Sequence, residues 1–377
     1  MEVYFDNSAT TKPYEEVVDT VAETMRNYYG NPSSAHKIGI VAEQKMSQYR
    51  DIIAKTINCS KDEIIFTSGG SESNNFAIKG FVKAGSHIIT TRIEHPSVIN
   101  VYKELEDEGV QVTYLDLNAE GKISIDHLME SLTKDTVLVS IMHVNNEVGF
   151  VQDIETIGRV LKEKSSRVKF HVDAVQSYCK IPINVKEAKI DLLSASAHKI
   201  HGPRGVGFIY LRKGLMPKPL ICGGGQERNF RSGTENLAAI AGFATAAQKT
   251  WSNLKISYEK VLVLKSYFMQ RLEEIENVKI NSFGDYSPYI LSASFLGVKS
   301  EVLLRTLDDK GIYVSAGSAC SAKGNKESHV LKALGLSDDE IRGTIRFSFN
   351  AENTNEEIDY TIEVLKESIS FLRRLKK

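Results

Sequence analysis

Along most of the chain, short apolar runs alternate with stretches in which apolar residues recur every three or four positions. The short runs predict strands at 64–67, 87–91, 110–115, 136–142, 168–173, 190–194 and 206–211. The periodic stretches predict helices between most of them, as at 74–83, 96–107 and 155–164. Ahead of the first run, residues 13–29 carry Val17, Val21, Met25 and Tyr28 at helical spacing, with Pro13 suited to a first turn and Gly30 to a stop. Residues 31–36, Asn-Pro-Ser-Ser-Ala-His, read as a rigid polar loop. Alternation of this kind predicts an α/β layer, a mostly parallel seven-stranded sheet with helices on both faces.

Near Trp251 the composition changes. A Gly-rich turn at 222–227 leads through Arg231-Ser232-Gly233-Thr234 into an Ala-rich helix, and two helical segments run to about Glu276. Strands follow near 278–281, 290–295 and 344–349, with helices among them. Thr354 and Glu357 have the spacing of a capping box before a last helix bearing Ile358, Ile362, Leu365, Ile369 and Leu372. The division expected is a large domain at 13–252 and a smaller α+β domain made of 1–12 and 253–377.

Composition narrows the class. Hydrophobic residues at 42%, charged residues at 25% and a net charge of −1 fit a soluble globular protein, with no general affinity for nucleic acid or anionic membranes. No apolar run approaches the roughly 20 residues that span a bilayer. Cys59, Cys179, Cys222 and Cys320 form no CxxC pair and no metal-type spacing, so no metal is expected. With no secretory pattern at the N-terminus, a reducing cytoplasm is the expected location.

Polar residues gather at the expected strand ends, where ligands of such sheets bind. Lys199 lies in Ser194-Ala195-Ser196-Ala197-His198-Lys199, a strand followed by a tight turn and another strand. Asp173 closes the run 168–172. A lysine for a Schiff base and an aspartate for a pyridinium nitrogen are what pyridoxal phosphate requires. Thr67-Ser68-Gly69-Gly70-Ser71-Glu72-Ser73-Asn74-Asn75, between strand and helix, reads either as a phosphate cradle or as an ordinary capped turn; beside Lys199 the cradle is favoured. Ser196 and His198 could reach the same phosphate. His95 could stack on a flat ring or move protons, or simply start a helix. Asn146 and Gln176 offer amides to a cofactor. Cys320, among small polar residues and glycines, reads as a reactive thiol on an exposed loop. Arg346, inside an apolar strand, either faces outward or grips a substrate carboxylate.

These motifs, together with Phe5-Asp6-Asn7-Ser8-Ala9-Thr10-Thr11, the 31–36 loop, 143–149, 171–176, 223–236 and 315–321, resemble over essentially the whole chain a cysteine desulfurase of the class V aminotransferase group, within fold-type I pyridoxal phosphate enzymes. The resemblance implies Lys199 as the residue that carries pyridoxal 5'-phosphate and Asp173 as the partner of its ring nitrogen. It implies His95 against the ring, Asn146 and Gln176 at the ring's edge, and Gly70, Ser71, Ser196 and His198 at the phosphate, joined by Thr234 from a neighbouring subunit. Asn31 and Arg346 would hold the carboxylate of L-cysteine, and Cys320 would take its sulfur as a persulfide. It further implies a homodimer, L-alanine as product, and a protein acceptor: an iron–sulfur scaffold or a tRNA-thiolating enzyme. The loop at Cys320 resembles the longer-loop subgroup. Ser71 stands where the family often has Thr, Asn350 where Gly is expected, and the chain ends at Lys377 without the tail that many relatives use for docking. Rival readings are another enzyme of the same fold, an aminotransferase or β-lyase on a different amino acid, and a non-catalytic binding protein.

Overall fold

The computed structural model describes residues 1–118, 120–282, 284, 286–316 and 328–375. The expected runs join one seven-stranded sheet in the order Ile64–Thr67, Gly207–Leu211, Leu192–Ser196, Lys169–Asp173, Thr136–Met142, His87–Thr91, Gln111–Leu115. Neighbours are parallel except at Gly207–Leu211, which is antiparallel to both strands beside it. The strands Ile64–Thr67, His87–Thr91, Leu192–Ser196 and Gly207–Leu211 are buried throughout. A sheet covered on both faces demands that, which is why the runs read as largely unbroken rather than alternating. One face packs through Val17, Ala42, Ile53, Ile157 and Phe243 on helices Glu15–Asn27, Lys37–Thr56, Ile154–Lys164 and Leu237–Ser252. The other packs through Phe76, Ile78, Val98 and Tyr102 on helices Gly70–Lys79 and Pro96–Asp107.

Several helices depart from expectation: Gly70–Lys79 lies four residues ahead of the 74–83 expected, Ile125–Glu130 is an added short helix, and two more differ near the chain's start. The first starts at Glu15 rather than 13, because Tyr14 keeps an extended backbone as its cap, and it ends at Asn27 with Tyr28 beyond it. The 20-residue helix Lys37–Thr56 is not among the expected elements. It follows the polar loop directly, and His36 Nδ1 caps it by accepting from Gly39 N.

A second, antiparallel sheet has the order Ser315–Ala316, Thr344–Ser348, Ile290–Phe295, Val278–Ile280. It packs on helices Leu254–Leu272 and Asn355–Leu375 through Val261, Leu264, Phe268, Ile358, Ile362 and Leu365. The expected capping box forms: Thr354 N donates to Glu357 Oε2 at 3.0 Å and Glu357 N to Thr354 Oγ1 at 3.3 Å. Val3–Tyr4 pairs with Ile312–Tyr313 beside this layer, and Phe5 packs edge-on against Phe268. From there the chain crosses to the large sheet, where Thr11 N donates to His198 O at 2.9 Å and Tyr14 N to His201 O at 3.2 Å. Residues 6–11 thus form a strap between the two layers. Among the described residues no helix is long and apolar enough to cross a membrane.

Candidate active site

The strand Leu192–Ser196 runs into a single turn, Ala197–Lys199, that sets Lys199 at the carboxyl end of the parallel sheet. A cavity of about 330 Å³ there brings together Gly70, Ser71, His95, Asn146, Asp173, Gln176, Ser196, His198, Lys199 and Arg346. Its wall continues into a more open cavity of about 400 Å³ around Ser68, Gly69, Arg204 and Gly205. Asn31 and Thr234 are exposed and do not line either space. Cys320 lies outside the described residues. Among the described residues no cluster of His, Cys, Asp and Glu is fit to hold a metal ion.

The strap supplies the lysine's partners. Lys199 Nζ donates to Ser8 O at 2.5 Å and Ala9 O at 2.8 Å, and Gln176 Nε2 donates to Ser8 O at 2.9 Å. Thr10 Oγ1 lies 3.2 Å from His198 Nδ1. Burial, then the charges of Lys199, Arg204 and Lys180, hold the His198 imidazole down at about 4, so it is neutral beside the lysine. At the strap's other end Asn350 Nδ2 donates to Asn7 Oδ1 at 2.9 Å, while Asn350 Oδ1 accepts from Glu352 N at 2.7 Å. The residue that departs from the family pattern is therefore tied into the strap by its side chain.

Opposite Lys199, Asp173 is fixed from two sides: Val175 N donates to Oδ1 at 3.0 Å and Asn74 Nδ2 to Oδ2 at 2.8 Å. Asn74 Nδ2 also donates to Ser97 Oγ at 2.9 Å, and that oxygen lies 2.8 Å from His95 Nδ1, which accepts from Ser97 N. With Nδ1 accepting, the neutral ring carries its proton on Nε2. Burial lowers the His95 pKa; Asp173 opposes this, and Lys199 and His329 add to it. Asn74 thus ties the Asp173 carboxylate to Ser97, whose hydroxyl meets the His95 ring. Asn74 lies in the expected phosphate loop without an expected role of its own. Its signal is the i, i+3 spacing from Ser71 and i, i+4 from Gly70, which puts all three on one helix face.

The cradle begins at Gly69, whose φ of +154° only glycine takes readily. At Gly70 a Cβ would meet Val175 Cγ2 at 2.6 Å, so the turn sits against the Asp173 segment with no room for a side chain. The helix Gly70–Lys79 starts here and points its unpaired N–H groups and positive dipole end at the opening. Glu72, on its first turn, is neutralised by Arg231, whose Nε lies 2.8 Å from Oε1. Ser196, His198 and Arg204 complete the rim. An anion fits this place.

Ser8 Oγ, Asn74 Oδ1, Gln176 Oε1 and Arg346 Nε are buried without a hydrogen-bond partner, and all four residues line the first cavity. Such atoms cost roughly 1–3 kcal/mol each if left unpaired. A polar ring compound with a phosphate and an amino-acid carboxylate would supply what they lack. The donors and acceptors present therefore fit pyridoxal phosphate.

Behind His95, Glu94 is fully buried and accepts from Thr91 Oγ1 at 2.8 Å and Met142 N at 3.0 Å. Burial pushes its carboxyl up to about 8, against the pull of those two hydrogen bonds and with the Asp173 charge adding to the rise. Between 4.5 and about 8 the folded chain holds a proton there that the unfolded chain has released, so stability falls as pH rises through that window. Glu94→Gln removes this titration. Its melting temperature relative to the parent should therefore climb as pH rises across the window, as paired thermal melts would register; parallel pH profiles would mean that Glu94 is ionised in the folded chain.

The family model for class-V aminotransferases matches residues 3–361. The chain is 41% identical over 382 residues to the cysteine desulfurase IscS of Clostridium botulinum, covering 99% of this chain and 96% of that protein. It is 42% identical over 380 residues to the cysteine desulfurase IscS of Dictyoglomus turgidum, with coverage of 99% and 96%. Among solved structures, a NifS-like protein superposes with a TM-score of 0.92 at 39% identity, over 98% of this chain and 100% of that one. SspA in complex with cysteine superposes with a TM-score of 0.83 at 37% identity, over 93% and 100%. With the fold, the matched motifs and the relatives in agreement, the chain belongs to the class-V aminotransferase family of fold-type I, in its group of cysteine desulfurases.

Proposed function

We propose that this chain is a cysteine desulfurase that holds pyridoxal 5'-phosphate on Lys199 and moves the sulfur of L-cysteine onto Cys320, releasing L-alanine. One observation carries the reading: the Lys199 amine and the fixed Asp173 carboxylate share a cavity with an anion cradle and an unpartnered Arg346 Nε. The names of its relatives, and the cysteine held by SspA, support the same substrate.

Bound there, the cofactor supplies an electron-withdrawing ring that accepts the electron pair released when a substrate bond breaks. Asp173 pairs with its ring nitrogen, its carboxylate aimed by Asn74 and Val175 N. His95, neutral, offers a ring face rather than a charge. Asn146 and Gln176 serve the ring's polar edge, and Gly70, Ser71, Ser196 and His198 take the phosphate. Lys199 Nζ moves the substrate's Cα proton. Arg346 holds the substrate carboxylate, with Asn31 as second partner. The exposure of Asn31 and Thr234 on the single chain fits a homodimer in which Thr234 of the partner subunit completes the phosphate site. The large unit would span 13–252 and the smaller 1–12 with 253–377, in a cytoplasmic enzyme whose persulfide passes to an iron–sulfur scaffold or a tRNA-thiolating enzyme.

Incubation of the purified, cofactor-loaded protein with L-cysteine and a thiol reductant, assaying alanine and sulfide together, tests the reading. Equal release of both is expected. Neither product from protein that still shows the cofactor's absorbance would transfer the chain to another reaction of the same fold, and a keto acid would mark an aminotransferase or β-lyase.

A further inference from the structure

Arg346 has partners of its own within the chain. Its Nη1 donates to Asn146 O at 2.9 Å and its Nη2 to Asp6 Oδ1 at 3.0 Å, while Nε is buried with no acceptor. The Arg346 side chain is only 5% exposed and that of Asp6 20%. Asp6 is itself held: its Oδ1 accepts from Ser315 Oγ at 2.8 Å, and its backbone bridges to Ser348, two positions past Arg346 on the same strand. Arg346 lines the cavity and Asp6 does not.

We infer that Asp6 is a positioning residue that serves Arg346 as a built-in carboxylate, fixing the plane of the guanidinium and weakening its hold on a second carboxylate. The inference rests on the reading of Arg346 as the group that takes the substrate carboxylate. A guanidinium is a rigid plane, so fixing Nη1 and Nη2 fixes where Nε points. A nearby carboxylate also offsets the positive charge, so an incoming amino acid meets a partly satisfied cation. Substrate and product of the proposed reaction, cysteine and alanine, carry the same carboxylate. A grip made equally on both adds nothing to the chemical step and slows departure of the product, which gives a reason to temper it.

The test separates charge from shape. Asp6→Asn keeps the Oδ1 acceptor for Nη2 and Ser315 but removes the charge; Asp6→Ala removes both. With holoprotein, calorimetric titration of L-alanine should show Asp6→Asn binding about fivefold more tightly than the parent, and KM for L-cysteine should fall by a similar factor with no rise in kcat. Asp6→Ala should bind L-alanine more weakly than the parent. A purely structural Asp6 would weaken binding in both variants, in step with melting temperature. Arg346→Gln should weaken L-alanine binding by about tenfold or more, and on that background Asp6→Asn should change nothing. If Arg346→Gln binds L-alanine like the parent, the carboxylate reading of Arg346 fails. If Arg346→Gln weakens binding but Asp6→Asn does not strengthen it, the inference about Asp6 is overturned while that reading stands. Should Asp6→Ala not fold, the Asp6→Asn titration decides alone.

Discussion

Lys199→Ala is expected to abolish cysteine turnover, by a factor on the order of 10³ or more, while leaving the fold in place. The amine hangs from a one-turn helix at the cavity and donates to two backbone carbonyls, Ser8 O and Ala9 O. Those bonds hold it as a proton donor near the strap. Truncation removes no core packing, since Lys199 is only partly buried. The strap stays tied by Thr11 to His198 and His201, so no unfolding should accompany the loss. Three measurements check this: alanine release, the cofactor's visible absorbance after dialysis, and the melting temperature. The variant should lose the first, retain less cofactor than the parent, and melt within a few degrees of it. Lys199→Arg should fail equally, because a guanidinium neither bonds a carbonyl carbon covalently nor gives up its proton. A small primary amine such as methylamine should restore part of the rate to Lys199→Ala. Undiminished turnover in the alanine variant would remove Lys199 from the chemistry.

How much of this was legible beforehand depended on which atoms do the work. The seven strands announce themselves because both faces of the sheet are covered, leaving little alternation to misread. Asp173 and Lys199 stand out because a charged residue at the end of a buried run needs a reason. The helix Lys37–Thr56 hid for the opposite cause. Its buried stripe is Gly39, Ala42, Met46, Arg50 and Ile53, while Ile38 and Ile40 are exposed, so apolar residues do not mark its inner face. Arg50 belongs there only because Glu227, 177 positions away, meets it with paired bonds of 2.6 and 2.7 Å, and Glu227 also accepts from Phe66 N. No local pattern reveals such a partner. Asp6, Ser8 and Thr10 sit in a motif whose sequence assigns them no roles, for a related reason. They act through backbone carbonyls or on groups as distant as Arg346, 340 positions along the chain. Asn31 and Thr234 were legible as motif members, but the single chain leaves both on its surface.

Cys320→Ser should stop alanine release, by on the order of 10³-fold or more, while L-cysteine still perturbs the cofactor's spectrum. In the proposed transfer the Cys320 thiolate forms an S–S bond to the substrate's sulfur. The substrate's Cβ–S bond breaks, its electron pair passes to the substrate carbon, and a proton there completes L-alanine. A serine hydroxyl cannot replace the thiolate at neutral pH, so the substrate would bind and lose its Cα proton but keep its sulfur. The residue lies outside the described segments, yet both flanks are tied to the segments that carry cavity-lining residues. Ser315 pairs across from Arg346 and donates to Asp6; Ser328 Oγ donates to Glu147 Oε2 at 2.5 Å, and His329 Nε2 lies 2.9 Å from Glu94 O. The other cysteines are poor substitutes. Burial pushes the Cys59 thiol far up and the Cys179 thiol to about 12, leaving almost no thiolate, and exposed Cys222 lines neither cavity. Alanine release and sulfide should therefore fall together in Cys320→Ser and survive in Cys222→Ser. Should Cys320→Ser release alanine at the parent's rate, the sulfur must leave without a protein thiol, and the exposed Cys222 would be the next to replace.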